Sequence, residues 1–247
     1  SAMISDCPVS ADMAVVICAY SNTRWPQLVR CLASLQSQSI RAEEVLVVID
    51  HNRDLYERAC DAFTDIQVLE NTDEQGLSGA RNTGIRNSTS SIVAFIDDDA
   101  EADVHWVREL SAPFAEASVM GVGGTIHPIW ATGKPRWMPP EFFWVIGCSY
   151  RGMPESVTPI RNVIGANMAF RRDVFHAVGM FRNGVGRRGD TPLGCEETEL
   201  SIRARQHFAG RQIVLAPDAV VLHQVAEVRT RPGYFVRRCF AEGQSKA

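Results

Sequence analysis

The chain has 247 residues, 45% of them hydrophobic and 22% charged, with a formal net charge of −4. That length and balance fit one globular domain with a full apolar core, and exclude a disordered chain. The mildly acidic charge argues against nucleic acid as a partner.

The seven cysteines fall at 7, 18, 31, 60, 148, 195 and 239. Their odd count and the lack of a Cys-x-x-Cys pair speak against a disulfide framework or zinc site. Reduced thiols and a cytoplasmic chain are the expectation. No apolar run approaches the roughly 20 residues of a spanning helix. Ser1-Ala2-Met3 reads as a cloning remnant in an N-terminal tail of residues 1–12. Residues 244–247 read as a tail with no stop signal, so the natural chain is expected to continue.

Ala14 to Tyr20 is an apolar run of strand length, closed by the turn Ser21-Asn22-Thr23. Leu28, Val29, Leu32 and Leu35 then recur at helical spacing. Glu44 to Asp50 predicts a second buried strand and Leu55 to Phe63 a helix. Ile66 to Leu69 predicts a short strand, Gly79 to Asn87 a helix, and Ser91 to Ile96 a fourth strand. Apolar strands alternating with helices imply a mostly parallel sheet covered on both faces. In such sheets ligands bind beyond the carboxyl ends of the strands. There lie Tyr20-Ser21-Asn22, Asp50-His51-Asn52 and Asp97-Asp98-Asp99.

The second half reads differently. Residues 127–162, rich in Pro, Gly and aromatics including Trp130, Trp137 and Trp144, predict a long loop-rich segment. Glu196 to Gln206 has helical spacing. Ile213–Ala216 and Ala219–Leu222 predict two short strands split by Pro217-Asp218.

Asp97-Asp98-Asp99 carries the strongest chemical signal. Three consecutive carboxylates after a buried strand repel one another unless cations neutralise them. Oxygen ligands of this kind suit Mg²⁺ or Mn²⁺. The same run also suits an acidic helix N-terminus. Gly76-Leu77-Ser78-Gly79-Ala80-Arg81 places glycines and an arginine at a helix start, which suits a diphosphate. Any Gly-Ser turn before a helix looks similar.

The order of these segments resembles the family 2 glycosyltransferases of the GT-A fold. It runs strand-Ala19-Tyr20-Ser21-Asn22, strand-Asp50, Gly76 to Gly84, then strand-Asp97-Asp98-Asp99. Downstream, Gly165 to Arg172 is similar to the family segment beside the acceptor, and Gly179-Met180-Phe181 follows it. Cys195 to Leu200 stands where the family carries a Glu-Asp pair heading a helix. Val221-Leu222-His223 resembles the late strand ending in a metal-facing histidine. The resemblance covers roughly residues 13–243. It implies a single α/β GT-A domain with a small antiparallel acceptor-side portion. Residues 13–125 would form the nucleotide-sugar half, and 126–243 the acceptor and catalytic half.

The resemblance also implies roles. Ala19, Tyr20 and Asp50 would shape the base pocket, and Arg81 would lie near base or diphosphate. Asp97 and Asp98 would meet ribose or sugar. Asp99, with His223, would ligate Mn²⁺ or Mg²⁺. Asn167 and Glu196 would lie near sugar or acceptor. The family's base is the Asp of the Glu-Asp pair, and here Glu197 occupies that place. Glu197 is the favoured base, with Glu196 in a shifted register as the alternative. A base removes the acceptor proton as the hydroxyl attacks. The bland reading of the pair is first-turn capping, with Glu199 and Arg203 an i, i+4 surface pair.

Asp50-His51-Asn52 departs from the family's acidic pair followed by Gly-Ser. UDP is the default donor nucleotide, with dTDP and GDP open. The acceptor is a glycan, a lipid carrier or a small molecule. Arg182, Arg187 and Arg188 among glycines read either as a loop closing on the diphosphate or as solvated surface. Arg229, Arg231, Arg237 and Arg238 make the C-terminus basic, fit for phosphates, for peripheral contact with a membrane, or for solvent. Two rivals are a nucleotidyltransferase, against which the absence of a glycine-rich loop after Tyr20 counts, and a binding module without catalysis.

Overall fold

The computed structural model describes residues 10–184 and 195–246. Its centre is strand β1 (Ser10–Ala19), whose residues Met13 to Ile17 are at most 1% exposed. β1 pairs in parallel with β2 (Arg41–Ile49) on one side and β4 (Ile92–Asp97) on the other; β2 pairs in parallel with β3 (Gln67–Glu70). The alternation of β1 divides the core. Met13, Val15, Ile17 and Ala19 face one apolar layer, and Val16 faces the other.

Helix α1 (Trp25–Gln36) packs on the first layer through Leu28, Cys31, Leu32 and Leu35, spaced at i, i+3, i+4, i+7. Helix α2 (Arg53–Ala62) is capped by Asn52, whose side-chain oxygen accepts from the Leu55 N–H at 3.0 Å. Helix α3 (Leu77–Arg86) is buried from Ser78 to Ile85. A glycine at 84 is required there, because a Cβ would sit 2.4 Å from Val16 Cγ1.

Beyond β4 the sheet turns mixed. Strand β8 (Asn167–Arg171) lies antiparallel between β4 and β6 (Val119–Trp130). β6 pairs in parallel with β9 (Gln212–Val225), which carries β5 (Ala100–Ala102) and β7 (Thr158–Ile160) antiparallel along it. The order is β3-β2-β1-β4-β8-β6-β9-β5. Helices α4 (Trp106–Ser111), α5 (Arg172–Val178), α6 (Glu196–His207) and α7 (Pro232–Lys246) complete the domain. No helix among the described residues is long and apolar enough to cross a membrane.

The two late strands expected at Ile213–Ala216 and Ala219–Leu222 are one strand of 14 residues. The Pro217-Asp218 dipeptide sits in a bulge. Gly124 faces Ala216, and the next β6 residue, Thr125, faces Val220. The bulge absorbs a proline that has no N–H for the ladder, so the strand survives it. Residues 127–162 are loop-rich as expected, apart from the end of β6, a 3-10 turn at Pro140–Ile146, and β7.

Gly124 marks the tightest point of this bulge. A Cβ there would lie 2.2 Å from the Ala219 carbonyl oxygen and 2.3 Å from Asn167 Nδ2. Backbone cannot retreat as a flexible side chain does. Gly124→Ala is expected to lower unfolding stability by about 3 kcal/mol. Urea denaturation checks this, and an unchanged midpoint would refute it.

Candidate active site

Parallel pairing brings the carboxyl ends of β1, β2 and β4 to one edge, with Ala19 opposite Ile49 and Cys18 opposite Asp97. Because β8 runs the other way, its first residue, Asn167, reaches the same edge opposite Ile96. A cleft of about 820 Å³ opens there, lined by Ala19, Tyr20, Asp50, Gly76, Asp97 and Asp98 among others. Tyr20 is 45% exposed on its rim.

Asp50 holds the floor of the cleft. Its Oδ1 accepts from Asn71 Nδ2 at 2.7 Å, and its Oδ2 accepts from the Gly76 N–H at 2.9 Å. It therefore fixes the glycine turn that starts α3. His51 beside it has a φ of 50°, a left-handed conformation uncommon for a side chain of this size.

The three aspartates at the end of β4 have three different environments. Asp97 faces the cleft, 3.8 Å from Arg81 Nη2. Asp98 is buried and accepts from Arg24 Nη1 at 2.7 Å. Burial pushes its carboxyl up to about 7, the charge of Asp99 adds to this, and Arg24 pulls against both. Asp99 lies between Arg24 Nη1 at 3.2 Å and His223 Nε2 at 3.2 Å. Burial opposes its charge, but the facing His223 and Arg24 hold it well below the usual carboxylate range. The same pair works on His223. Burial would lower its imidazole, and Asp99 outweighs that and raises it to about 10.

Asp97, Asp99 and His223 each offer one ligand atom, and all lie within 4.8 Å of one another. Asp98 Oδ2 is buried without a hydrogen-bond partner, and Asp99 Oδ1 meets only the His223 ring nitrogen. A buried carboxylate oxygen left unmet is costly unless a cation reaches it. Two carboxylates and an imidazole are a fitting donor set for a divalent metal. Asp97 joins this set, beyond the sugar contact expected of it.

Arg81 is 2% exposed. Its Nη1 donates to Glu196 Oε1 at 2.8 Å and its Nη2 to the Gly165 carbonyl at 3.1 Å. The rings of Phe95 and Phe181 lie 5.7 and 5.3 Å from its guanidinium carbon. Arg81 therefore joins the end of β4 to the head of α6 from within, and Glu196 is its buried counter-ion. Glu197 is the next residue on α6, half-buried beside it. Burial raises its carboxyl to about 8, and the negative Glu196 adds to this against the pull of Arg81. Cys195 precedes the helix in a left-handed conformation, and its Sγ lies 3.5 Å from Glu242 Oε1 on α7.

Asn167 corrects an expectation. It is fully buried, donates through Nδ2 to the Thr125 and Ala219 carbonyls, and accepts from Trp106 Nε1. Both amide hydrogens are used inside the fold, clamping β8 to β6 and β9, so the side chain has no donor for a sugar. The expected Glu199–Arg203 pair is present at 2.7 Å, and Arg182 joins Glu199 at 3.1 Å. The residues Arg187 and Arg188, with the closing loop envisaged for them, lie outside the described residues. Trp130 packs on Phe143, whereas Trp137 is 41% exposed.

Sequence reasoning missed Arg24. It is the cation that bridges Asp98 and Asp99, yet it stands 74 residues away from Asp98 with no motif around it. It missed Cys148 too, whose Sγ lies 3.8 Å from His223 Nδ1.

Known proteins share this sequence pattern and fold. The sequence model of "Glycosyl transferase family 2" matches residues 14–179. A glucosyl-dolichyl phosphate glucuronosyltransferase of Haloferax volcanii is 35% identical over 238 residues, covering 95% of this chain and 76% of that protein. Succinoglycan biosynthesis protein ExoM of Rhizobium meliloti is 27% identical, covering 93% of this chain and 72% of that protein. Among solved structures, a Pyrobaculum calidifontis mannosyltransferase in complex with GDP-Man and Mn²⁺ superposes with a TM-score of 0.65 at 21% identity, over 96% of this chain and 63% of that one. GalNAc-T7 with UDP, GalNAc and Mn²⁺ gives a TM-score of 0.65 at 18% identity, over 89% of this chain and 44% of that one. The chain thus spans less than two thirds of either solved structure. With the family model covering well over half of the chain, the protein belongs to glycosyl transferase family 2 and has the GT-A fold.

Proposed function

We propose that the protein transfers a sugar from a UDP-sugar to an acceptor hydroxyl, with inversion at the anomeric carbon and with a divalent metal. The observation that carries this is the meeting of Asp97, Asp99 and His223 at the end of a cleft sized for a nucleotide sugar. In this reading Ala19, Tyr20 and Asp50 border the base and ribose. Asp97, Asp99 and His223 would hold the metal, whose charge would offset that of the leaving diphosphate. The imidazole nitrogen tilts the choice toward Mn²⁺ over Mg²⁺. Arg24 holds Asp98 and Asp99 in place, and Arg81 does the same for Glu196.

Glu197 takes the acceptor proton. The acceptor oxygen forms its bond to the anomeric carbon as the bond to the diphosphate oxygen breaks. An α-linked donor then gives a β-linked product. UDP as the nucleotide is supported by GalNAc-T7, solved with UDP, and by Staphylococcus aureus TarS, solved with UDP-GlcNAc. The similar glucuronosyltransferase is named for a lipid-linked phosphate substrate, which supports a lipid-borne acceptor among the three classes considered.

Titration of UDP, GDP and dTDP by calorimetry, with and without Mn²⁺, tests the donor side. UDP is expected to bind tightest and to need the metal, and Asp99→Ala is expected to abolish the metal dependence. No binding of any nucleoside diphosphate with metal present would overturn the donor assignment.

Glu197→Gln is expected to lower kcat by about 10³-fold with UDP affinity retained. Equal turnover would disprove the base. A carboxyl raised to about 8 is protonated, and so inactive as a base, over most of the neutral range. kcat/KM is therefore expected to climb about tenfold per pH unit up to about pH 8 and then level off. A flat profile from pH 6 to 9 would remove Glu197 from the chemistry.

A further inference from the structure

One face of the molecule combines exposed aromatics with unpaired positive charge. Trp137 and Phe142, 41% and 40% exposed, both meet the ring of Phe235 on α7 edge-on, at 5.6 and 5.3 Å. The next residues of α7, Val236 and Phe240, are 65% and 68% exposed, the most exposed large hydrophobics among the described residues. They stand one helical turn apart on one face of α7, and Arg237 lies three residues before Phe240 at its border. Single exposed hydrophobics need no explanation, but two exposed pairs joined through Phe235 do.

The charge around them is reversed relative to the whole chain. Residues 127–162 and 226–242 hold eight Lys and Arg against four Glu and no Asp, in a protein whose net charge is −4. Arg136 and Arg237, directly beside Trp137 and Val236, are exposed, and no acidic partner is recorded for either among the described residues. A second copy of this chain is a poor occupant. In a two-fold contact the same positively charged patch would face itself.

We infer that this face is a docking surface for an anionic lipid membrane. Aromatic and aliphatic side chains enter the headgroup region while flanking arginines meet lipid phosphates. α7 is then an interfacial helix lying along the bilayer. The surface also leads to the reaction centre. The 3-10 turn that carries Phe142 ends at Gly147 and Cys148, which border the His223 ring. α7 places Glu242 against Cys195, two residues before Glu197. A lipid-borne acceptor held at this face reaches the catalytic edge without leaving the membrane. That last step rests on Glu197 being the base; the surface itself does not.

Co-sedimentation of the 247-residue chain with phosphatidylcholine vesicles, with and without phosphatidylglycerol, tests the surface. Binding is expected to the anionic vesicles at low salt and to weaken as salt is added. Arg237→Glu should weaken it at least about fivefold, and the double variant Val236→Asp, Phe240→Asp should abolish it. Each variant should keep the near-ultraviolet dichroism and UDP affinity of the parent, so that loss of fold or of donor binding is read separately. Equal binding to neutral and anionic vesicles, or vesicle binding unchanged in the double variant, would overturn the inference. So would a concentration-dependent dimer, dissolved by Val236→Asp, in a chain that ignores vesicles.

Discussion

Three adjacent carboxylates at the end of a buried strand are the constraint around which this protein is built. In isolation they could not all stay ionised in a site this dry. Their cations arrive from three distant places. Arg24 comes from the turn after β1, Arg81 from α3, and His223 from β9. Each lies on an element that the fold must bring to one edge before the charges balance. The acidic run therefore acts on more than a ligand. It ties the first parallel strands to the late strand β9, because one of its three neutralising groups, His223, would be lost if β9 shifted. The unpartnered Oδ2 of Asp98 shows that protein cations alone leave the balance incomplete.

His223 reaches that edge only because of the irregularity in the middle of β9. Below the bulge, β9 follows β6 from Gln212 to Ala216; above it, the pairing resumes from Val220 in a shifted register. Three residues, Pro217 to Ala219, are taken out of the ladder. The Ala219 carbonyl they free accepts from Asn167, whose amide also bonds Thr125 and Trp106. Gly124 leaves the room for it. A buried polar clamp of this kind is stable only when every atom is satisfied, which it is. A straight β9 would carry its upper residues three positions along β6 and take His223 away from Asp99.

The parallel half was legible in the sequence because apolar runs and helical spacing reflect burial directly. Ala14 to Ile17, Val45 to Ile49 and Ile92 to Ile96 are strands for the same reason that they are apolar. The residues just beyond them could be found by the rule that such strands end at the ligand. The long β9 was not legible. A Pro-Asp pair ends most strands, and only pairing with β6 explains why this one continues. Asn167 was placed at the substrate because it stands in a family segment, yet its environment comes from three chain-distant groups. Arg24 gave no signal at all. Its meaning lies in two carboxylates more than 70 residues away, and such a distance leaves no pattern in a single sequence.

Glutamate at the position proposed for the base becomes intelligible at the head of α6. Glu196 is committed to Arg81 and cannot move toward an acceptor without leaving a buried guanidinium unpaired. The shifted-register alternative, with Glu196 as base, conflicts with that commitment. Glu197 has no such anchor. It feels Glu196 on its own helix and Glu242 on α7, both of which disfavour its charge. A base that is costly to ionise is also one that holds its proton well once it has taken it. The helix start and the Arg81 guanidinium oppose this cost, so Glu197 is poised between two sets of neighbours. Because one of these neighbours lies on α7, whatever settles that helix also sets the electrostatic surroundings of Glu197.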